Sequence, residues 1–397
     1  MRGNIWNQLG WVFGLLLGAS TAQAAMEPPL FYIEPYWHPA GANGREFALS
    51  WQYFLEDDDQ EVKKRGLKVV LKQGSRTLRR IVPIADSDVM HANLGDLCTD
   101  IIAARARGGK LEIQIPFEER LREVPETLCP SRLGQSGAAP SKFVFLADTQ
   151  EFPDRTENTL AQLARTDSRL VVNGGDLVQT GYEEFQWQAY FDSFREHLPD
   201  HVMLPVVGNH EYRYDSTVPL WKRYFGGEAS DWFFDLQVGD AQVVIFNSSF
   251  EDDPGLIERQ LEWMDRTLSK PSRYKIVTMH HAPFSQGIDH LPFFPRQEYK
   301  VLQEYFVPLF ERHHVDLVLS GHEHLYERSF KSGIEYLVSG AAGGKMGIAG
   351  ATNPFALFDA RQVRTLTEVS IEASGIKSTT WNDAGFIEDE FLIPARR

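Results

Sequence analysis

The chain has 397 residues, and at roughly 150 residues per domain that length points to two or three domains. It is 43% hydrophobic, 24% charged and 12% aromatic, which excludes a disordered, collagen-like or disulfide-scaffold protein. The net charge of −15, with no concentrated basic patch, argues against duplex nucleic acid or an anionic membrane as partner, and two cysteines are too few for a Cys-ligated zinc module.

Residues 1–25 read as an address. Arg2 supplies a short positive region, an apolar run follows from Trp11 to Ala19, and Ala22-Gln23-Ala24 has the small-x-small pattern of a signal-peptidase site. The run is too short to span a bilayer. An exported chain, periplasmic or secreted and without a membrane span after cleavage, is the expectation; an uncleaved anchor is the alternative. Export would place Cys98 and Cys129 in an oxidising compartment. One disulfide there would contribute about 3–4 kcal/mol, against the alternative of two buried thiols.

From Met26 to about Pro140 the pattern is of short β runs, such as Phe47–Trp51, Leu67–Leu71 and Leu111–Ile115, separated by turn chemistry such as Gly41-Ala42-Asn43-Gly44. A small β-sandwich-like N-terminal domain over 26–140 is predicted. Residues 132–141 (RLGQSGAAPS) read as a linker. The acidic run Glu56-Asp57-Asp58-Asp59 reads as a solvated loop.

Beyond residue 141 apolar strands alternate with amphipathic helices. Strands are predicted at 143–146, 170–172, 202–207, 243–246, 275–279 and 315–319, and helices near 156–166, 183–197, 255–268 and 297–313. The tail, 366–393, returns to β alternation. Such alternation defines α/β layers over 141–397.

Nearly every one of these strands ends in a polar cluster, where α/β proteins place their sites. In order they are Asp148-Thr149-Gln150, Gly175-Asp176, Gly208-Asn209-His210-Glu211, His280-His281 and Gly321-His322-Glu323-His324. Asp, Asn, Gln and His are hard-to-borderline donors that suit Mn, Fe, Zn or Co. Two cations can sit about 3.5–4 Å apart around one shared carboxylate, for which Asp176, beside its glycines, is the natural choice. His322 and His324 leave one short loop and can serve one cation each. Water between two such cations is deprotonated near neutral pH. Any one of these residues alone reads more simply as a cap or a hydrogen-bonded structural group; five clusters at successive strand ends do not.

These motifs, with His280-His281-Ala282-Pro283-Phe284 and the run GHEHLYER from Gly321 to Arg328, resemble the calcineurin-like metallophosphoesterase superfamily in its purple acid phosphatase-like branch. The resemblance is strong over about 141–350 and looser over the N-terminal β region. It implies a four-layer α/β/β/α sandwich and two divalent cations (Mn, Fe or Zn). It also implies hydrolysis of small phosphate mono- or diesters by in-line attack of a metal-activated hydroxide. Carried over by position, Asp148, Gln150, Asp176 and His324 would hold one cation, and Asp176, Asn209, His280 and His322 the other. His280 is preferred to His281 as the ligand. His210 would assist the leaving group, and His290 is a candidate to touch the phosphate, with an exposed loop residue as its alternative. Glu211 would orient a neighbouring ligand, and Arg328 would pair with an acid behind the site.

Two positions depart from the family pattern. Gln150 stands where the first motif usually carries His. Gln179 stands where purple acid phosphatases carry Tyr, so a purple charge-transfer colour and a strong Fe(III) preference are not expected. Gly340–Lys345 is not a phosphate-binding loop, because Ser339 and Met346 occupy the positions that need Gly and Ser/Thr; it reads as a turn beside the site. Rim aromatics could grip an organic leaving group, although Trp187 and Phe293-Phe294 read more simply as core. The rival reading is a catalytically weak metal- or phosphate-binding protein on the same fold, for which Gln150 is the supporting feature. An adhesin-like N-terminal module has no supporting motif.

Overall fold

The computed structural model describes residues 31–40, 46–53, 67–73, 76–82, 90–95, 111–113, 122–123 and 141–396, except 151–152, 198–200, 226–231, 250–253 and 292–297. The signal segment, Cys98, Cys129, the acidic run at 56–59 and Phe293-Phe294 lie outside the described residues.

In chain order the N-terminal strands are β1 (Phe31–Ala40), β2 (Glu46–Tyr53), β3 (Leu67–Gln73), β4 (Arg76–Val82), β5 (Met90–Gly95), β6 (Glu112–Ile113) and β7 (Arg122–Glu123). Then come β8 (Ser141–Leu146), α1 (Pro153–Ala161), β9 (Leu170–Asn173), α2 (Glu184–His197), β10 (Val202–Pro205), α3 (Asn209–Tyr212) and α4 (Pro219–Phe225). A second series follows: β11 (Phe234–Val238), β12 (Ala241–Ile245), α5 (Pro254–Leu268), β13 (Tyr274–Thr278), α6 (Glu298–Val301), α7 (Val307–Arg312) and β14 (Leu317–Ser320). The chain finishes with β15 (Tyr326–Lys331), β16 (Ile334–Ser339), β17 (Thr365–Ile371), β18 (Gly375–Asn382) and β19 (Ile387–Pro394).

Two sheets organise these strands. One has nine strands in the order β19-β18-β17-β8-β9-β10-β1-β2-β5, the other six in the order β11-β12-β13-β14-β16-β15. Strands β8, β9 and β10 run parallel, as do β12, β13, β14 and β16. The side-chain period of two sorts each central strand between two cores. On β8, Phe143 and Phe145 face the second sheet, among Val243, Ile245, Ile276, Leu317 and Leu319. Val144 and Leu146 face the other way, onto Leu160, Trp187 and Phe191 of the helices. Buried Trp187, Tyr190, Phe191 and Phe194 fall at helical spacing on α2, and Leu256, Gln260, Met264 and Leu268 do so on α5, which packs on the second sheet. Each fully buried ring or Leu contributes about 1.5–3 kcal/mol, so three cores hold four layers. This is the expected α/β/β/α sandwich.

The boundary expected at residue 140 does not separate two sheets. Strand β1 pairs parallel with β10 (Trp37 opposite Val202) and antiparallel with β2, which pairs with β5, so three N-terminal strands continue the sheet that carries the site. The described residues show no free-standing N-terminal sandwich; β3–β4 and β6–β7 are two-stranded hairpins. Sequence patterning cannot see a pairing between strands some 165 residues apart. It also passes over β11, β15 and β16, which are predicted nowhere above.

Candidate metal centre

The polar clusters follow the carboxyl ends of β8, β9, β10, β13 and β14 and meet at one edge of the sandwich. Asp148 follows β8, Asp176 follows β9, and Asn209 and His210 open α3 directly after β10. His280 follows β13, while His322 and His324 follow β14. Three of these residues have left-handed backbones: Asp148 (φ 60°), Asp176 (φ 52°) and His322 (φ 70°). Non-glycine residues reach that region at a cost, and here it turns each carboxylate or imidazole off its strand into the common space. Gly175 (φ 98°) completes the turn at Asp176, where a Cβ would stand 2.5 Å from His280 Nδ1.

Contacts join all seven expected ligands. The two oxygens of Asp176 divide between them: Oδ1 lies 3.3 Å from His280 Nε2, and Oδ2 accepts from Gln150 Nε2 at 2.7 Å. Asn209 Oδ1 lies 3.1 Å from His280 Nε2 and 2.9 Å from His322 Nδ1, and the two imidazole nitrogens are 3.3 Å apart. Asp148 Oδ2 accepts the backbone N–H of His322 at 2.8 Å. Asp148 Oδ1 is buried without a hydrogen bond, 3.3 Å from His324 Nε2.

The outer partners of the histidines fix what the inner nitrogens can be. His280 Nδ1 meets the Gly174 carbonyl at 2.9 Å, His322 Nε2 meets Asp289 Oδ2 at 3.1 Å, and His324 Nδ1 meets the Lys345 carbonyl. Carbonyls and carboxylates only accept, so these nitrogens carry the protons. In the neutral rings, His280 Nε2, His322 Nδ1 and His324 Nε2 are then lone pairs, aimed at one another or at the oxygens of Asn209, Asp176 and Asp148. Lone pairs converging at about 3 Å repel unless a positive charge lies among them.

Electrostatics point the same way. Asp148, Asp176 and Glu211 are each at most 1% exposed, and among the described residues no lysine or arginine pairs with them. Burial raises Asp148. Burial also works against ionised Asp176, but the imidazoles of His280, His210 and His322 outweigh it and hold that carboxyl well below its ordinary value. Burial opposes charge on His280 and His324, yet Asp176 and Asp148 respectively raise them to about 9. Without cations the cluster gathers protons. The donor set therefore fits divalent cations: oxygen and imidazole ligands around a carboxylate with one oxygen turned to each side.

The remaining expected residues are placed as follows. Glu211 sits beneath the site, accepting backbone N–H groups from Asp176 (3.0 Å), Leu177 (2.8 Å) and Gly208 (2.7 Å). Burial and Asp176 push it up to about 8, against the pull of those donors. His210 gives its backbone N–H to Asp176 Oδ1, its Nδ1 to the Gln179 carbonyl at 2.7 Å, and leaves Nε2 3.8 Å from Asp176 Oδ2. His281 meets Ser248 Oγ at 3.0 Å and forms a potential donor group with His280 and His322. Gly343 and Gly344 turn against the Asp148 carbonyl as expected of 340–345. Arg328 pairs with Asp389 at 2.7 Å.

His290 Nδ1 meets Glu323 Oε1 and its Nε2 the Ala282 carbonyl, both at 3.0 Å. The ring is engaged at both nitrogens. Its neighbour Asp289, on the same tight turn Ile288–His290, reaches His322 instead. Two adjacent polar residues on a three-residue turn point apart, and nothing local in the sequence says which points inward. Asp289 and the buried Glu323 are the residues the sequence reading missed.

Residues 141–326 match the family model of the calcineurin-like phosphoesterases. Over 192 residues the chain is 29% identical to the serine/threonine-protein phosphatase CPPED1 of Danio rerio, covering 45% of this chain and 61% of that protein. It is 24% identical over 235 residues to purple acid phosphatase 23 of Arabidopsis thaliana, 49% of each chain. The matched segments thus span about half to three-fifths of these curated relatives. In fold it is similar to the purple acid phosphatase PPD1 from yellow lupin (Lupinus luteus) seeds, with TM-score 0.66 and 14% identity over 92% of this chain and 74% of that one. PhoD is similar at TM-score 0.57 and 11% identity, over 95% and 94% of the two chains.

Proposed function

We propose that the protein is an exported, binuclear-metal phosphoester hydrolase acting on small phosphate mono- or diesters. The observation that carries this reading is the convergence of imidazole nitrogens and the Asn209 carbonyl oxygen beside Asp148 and Asp176, in a segment whose relatives are phosphatases. Asp148, Gln150, Asp176 and His324 would hold one divalent cation, and Asp176, Asn209, His280 and His322 the other; Mn²⁺, Fe²⁺ and Zn²⁺ all suit these donors. Bound there, the cations would neutralise phosphoryl oxygens and acidify a water into a nucleophile.

The chain's own residues supply the rest. Glu211 ties down the backbone of Asp176, and Asp289 fixes the ring of His322. Because the Gln179 carbonyl occupies Nδ1 of His210, Nε2 is the atom from which a proton passes to the departing alkoxide. Export rests on the residue pattern of 1–25; N-terminal sequencing of protein recovered outside the cytoplasm checks it, with a first residue at the Ala25–Met26 junction expected. Among the described residues no helix is long and apolar enough to cross a membrane.

The test is phosphate release from a panel of mono- and diesters, using metal-analysed protein stripped with chelator and then reconstituted with Mn²⁺. Release restored by metal is expected. The second reading, a metal- or phosphate-binding protein with little turnover, is favoured by one contact. Gln150 turns its amide nitrogen, not its oxygen, to Asp176. Two metals bound with no release from any ester would establish that reading instead.

A further inference from the structure

Beside His210 the surface carries aromatic side chains that the fold does not need. Tyr214 is 76% exposed and Tyr182 46% exposed, while Trp187, a few residues along α2, is fully buried in the core. The two tyrosine rings meet edge to face, with centroids 6.0 Å apart. Tyr214 also holds a left-handed backbone, φ 67°. A bulky residue there is strained, and strain without burial to offset it is typical of ligand clamps.

A line of contacts leads from the metal centre to these rings. His210 Nε2 is 3.8 Å from Asp176 Oδ2. The Arg213 guanidinium stands 3.5 Å from His210 Nδ1 and 5.1 Å above the centre of the Tyr214 ring. Since His210 Nδ1 already donates to the Gln179 carbonyl, it cannot accept from Arg213, and among the described residues Arg213 has no carboxylate partner. Tyr182 is brought to the same place by Gly181, whose N–H bonds the His210 carbonyl at 3.0 Å. A Cβ on Gly181 would lie 2.1 Å from the Glu211 carbonyl oxygen, so only glycine allows that approach.

We propose that Tyr182, Arg213 and Tyr214 form the leaving-group subsite, and that it takes a planar aromatic ring joined to the phosphate. This rests on the phosphoesterase reading and names the substrate class within it. The proposal puts the departing alcohol on the side of the phosphorus that His210 serves, and the group carrying that oxygen against the rings that adjoin His210 through Arg213. Aromatic faces and a stacked guanidinium favour a flat π system over an aliphatic chain.

Binding is read without turnover, as competition by phenylphosphonate and by methylphosphonate for the Mn²⁺-loaded protein. The wild type is expected to bind the phenyl compound more tightly. In Tyr214→Ala and Tyr182→Ala that preference should fall, by about tenfold in the double variant, with metal content unchanged, and Tyr214→Phe should keep it. An unaltered preference in the double variant overturns the subsite while leaving the phosphoesterase reading in place. A wild type that hydrolyses no ester and binds neither phosphonate overturns both.

Discussion

His322 holds its Nε2 3.1 Å from Asp289 Oδ2 while its Nδ1 stands 2.9 Å from Asn209 Oδ1, so one imidazole is gripped on its outer edge and offered on its inner one. A carboxylate behind a metal-binding histidine sets the ring's tautomer and orientation, and losing such a partner costs about 10–100-fold in metal affinity. Asp289→Ala should show that loss in a chelator-competition titration, with an unchanged far-ultraviolet circular dichroism spectrum. Equal affinity in variant and wild type would take Asp289 out of the site's construction.

Asp176 turns one oxygen to His280 and the other to Gln150, side chains assigned to different cations. In Asp176→Asn one oxygen becomes an amide, and elemental analysis should find fewer than two metals per chain. Two metals retained would contradict a shared carboxylate.

His210 touches the cluster through its backbone and lies beside it through Nε2, so it is separable from the metals. His210→Ala should keep its metal content while turnover falls by about 10²–10⁴, the usual range for a lost general acid. Full turnover would remove it from the chemistry.

On the proposed reading, protons and cations would compete for the same nitrogens. His280 and His324 are raised to about 9 in the metal-free chain, from an ordinary 6.5. A raised histidine value means that the proton's stabilising contribution is complete below the ordinary value and is lost as pH rises through the folded one. Binding a cation must displace those protons. Metal affinity should therefore climb between about pH 6.5 and 9, with proton release measurable by calorimetry in buffers of differing ionisation heat. A flat profile over that window would show that neither nitrogen is a ligand.

Glu211 offers a stability test away from the chemistry. Its carboxylate receives the N–H groups of Asp176, Leu177 and Gly208, all buried. Glu211→Ala strands them, at about 1–3 kcal/mol each, so the variant should melt well below the wild type even when stripped of metal. A melting temperature within a degree would mean that water replaces the carboxylate.

Much of this molecule was legible in its residues. The apolar runs at 143–146, 170–172, 275–279 and 315–319 read as strands because they are short and bounded by turn residues, and the sheet buries them on both faces. The polar residues that follow them converge because parallel strands end on one side. What was not legible is non-local or decided by a single turn. The pairing of β1 with β10 has no local signature. The choice between Asp289 and His290 depends on a turn three residues long. The engagement of Gln150 with Asp176 depends on which end of an amide turns inward, and composition is silent about that.

The seam between β1 and β10 has a practical bearing on how the protein can be taken apart. A fragment beginning at Ser141 would expose the backbone of Val202–Pro205 as an open edge, beside apolar residues now covered, and open edges recruit other chains. Cutting at the apparent linker should yield sticky material rather than a tidy catalytic core. Light scattering of the fragment against the intact chain would show it.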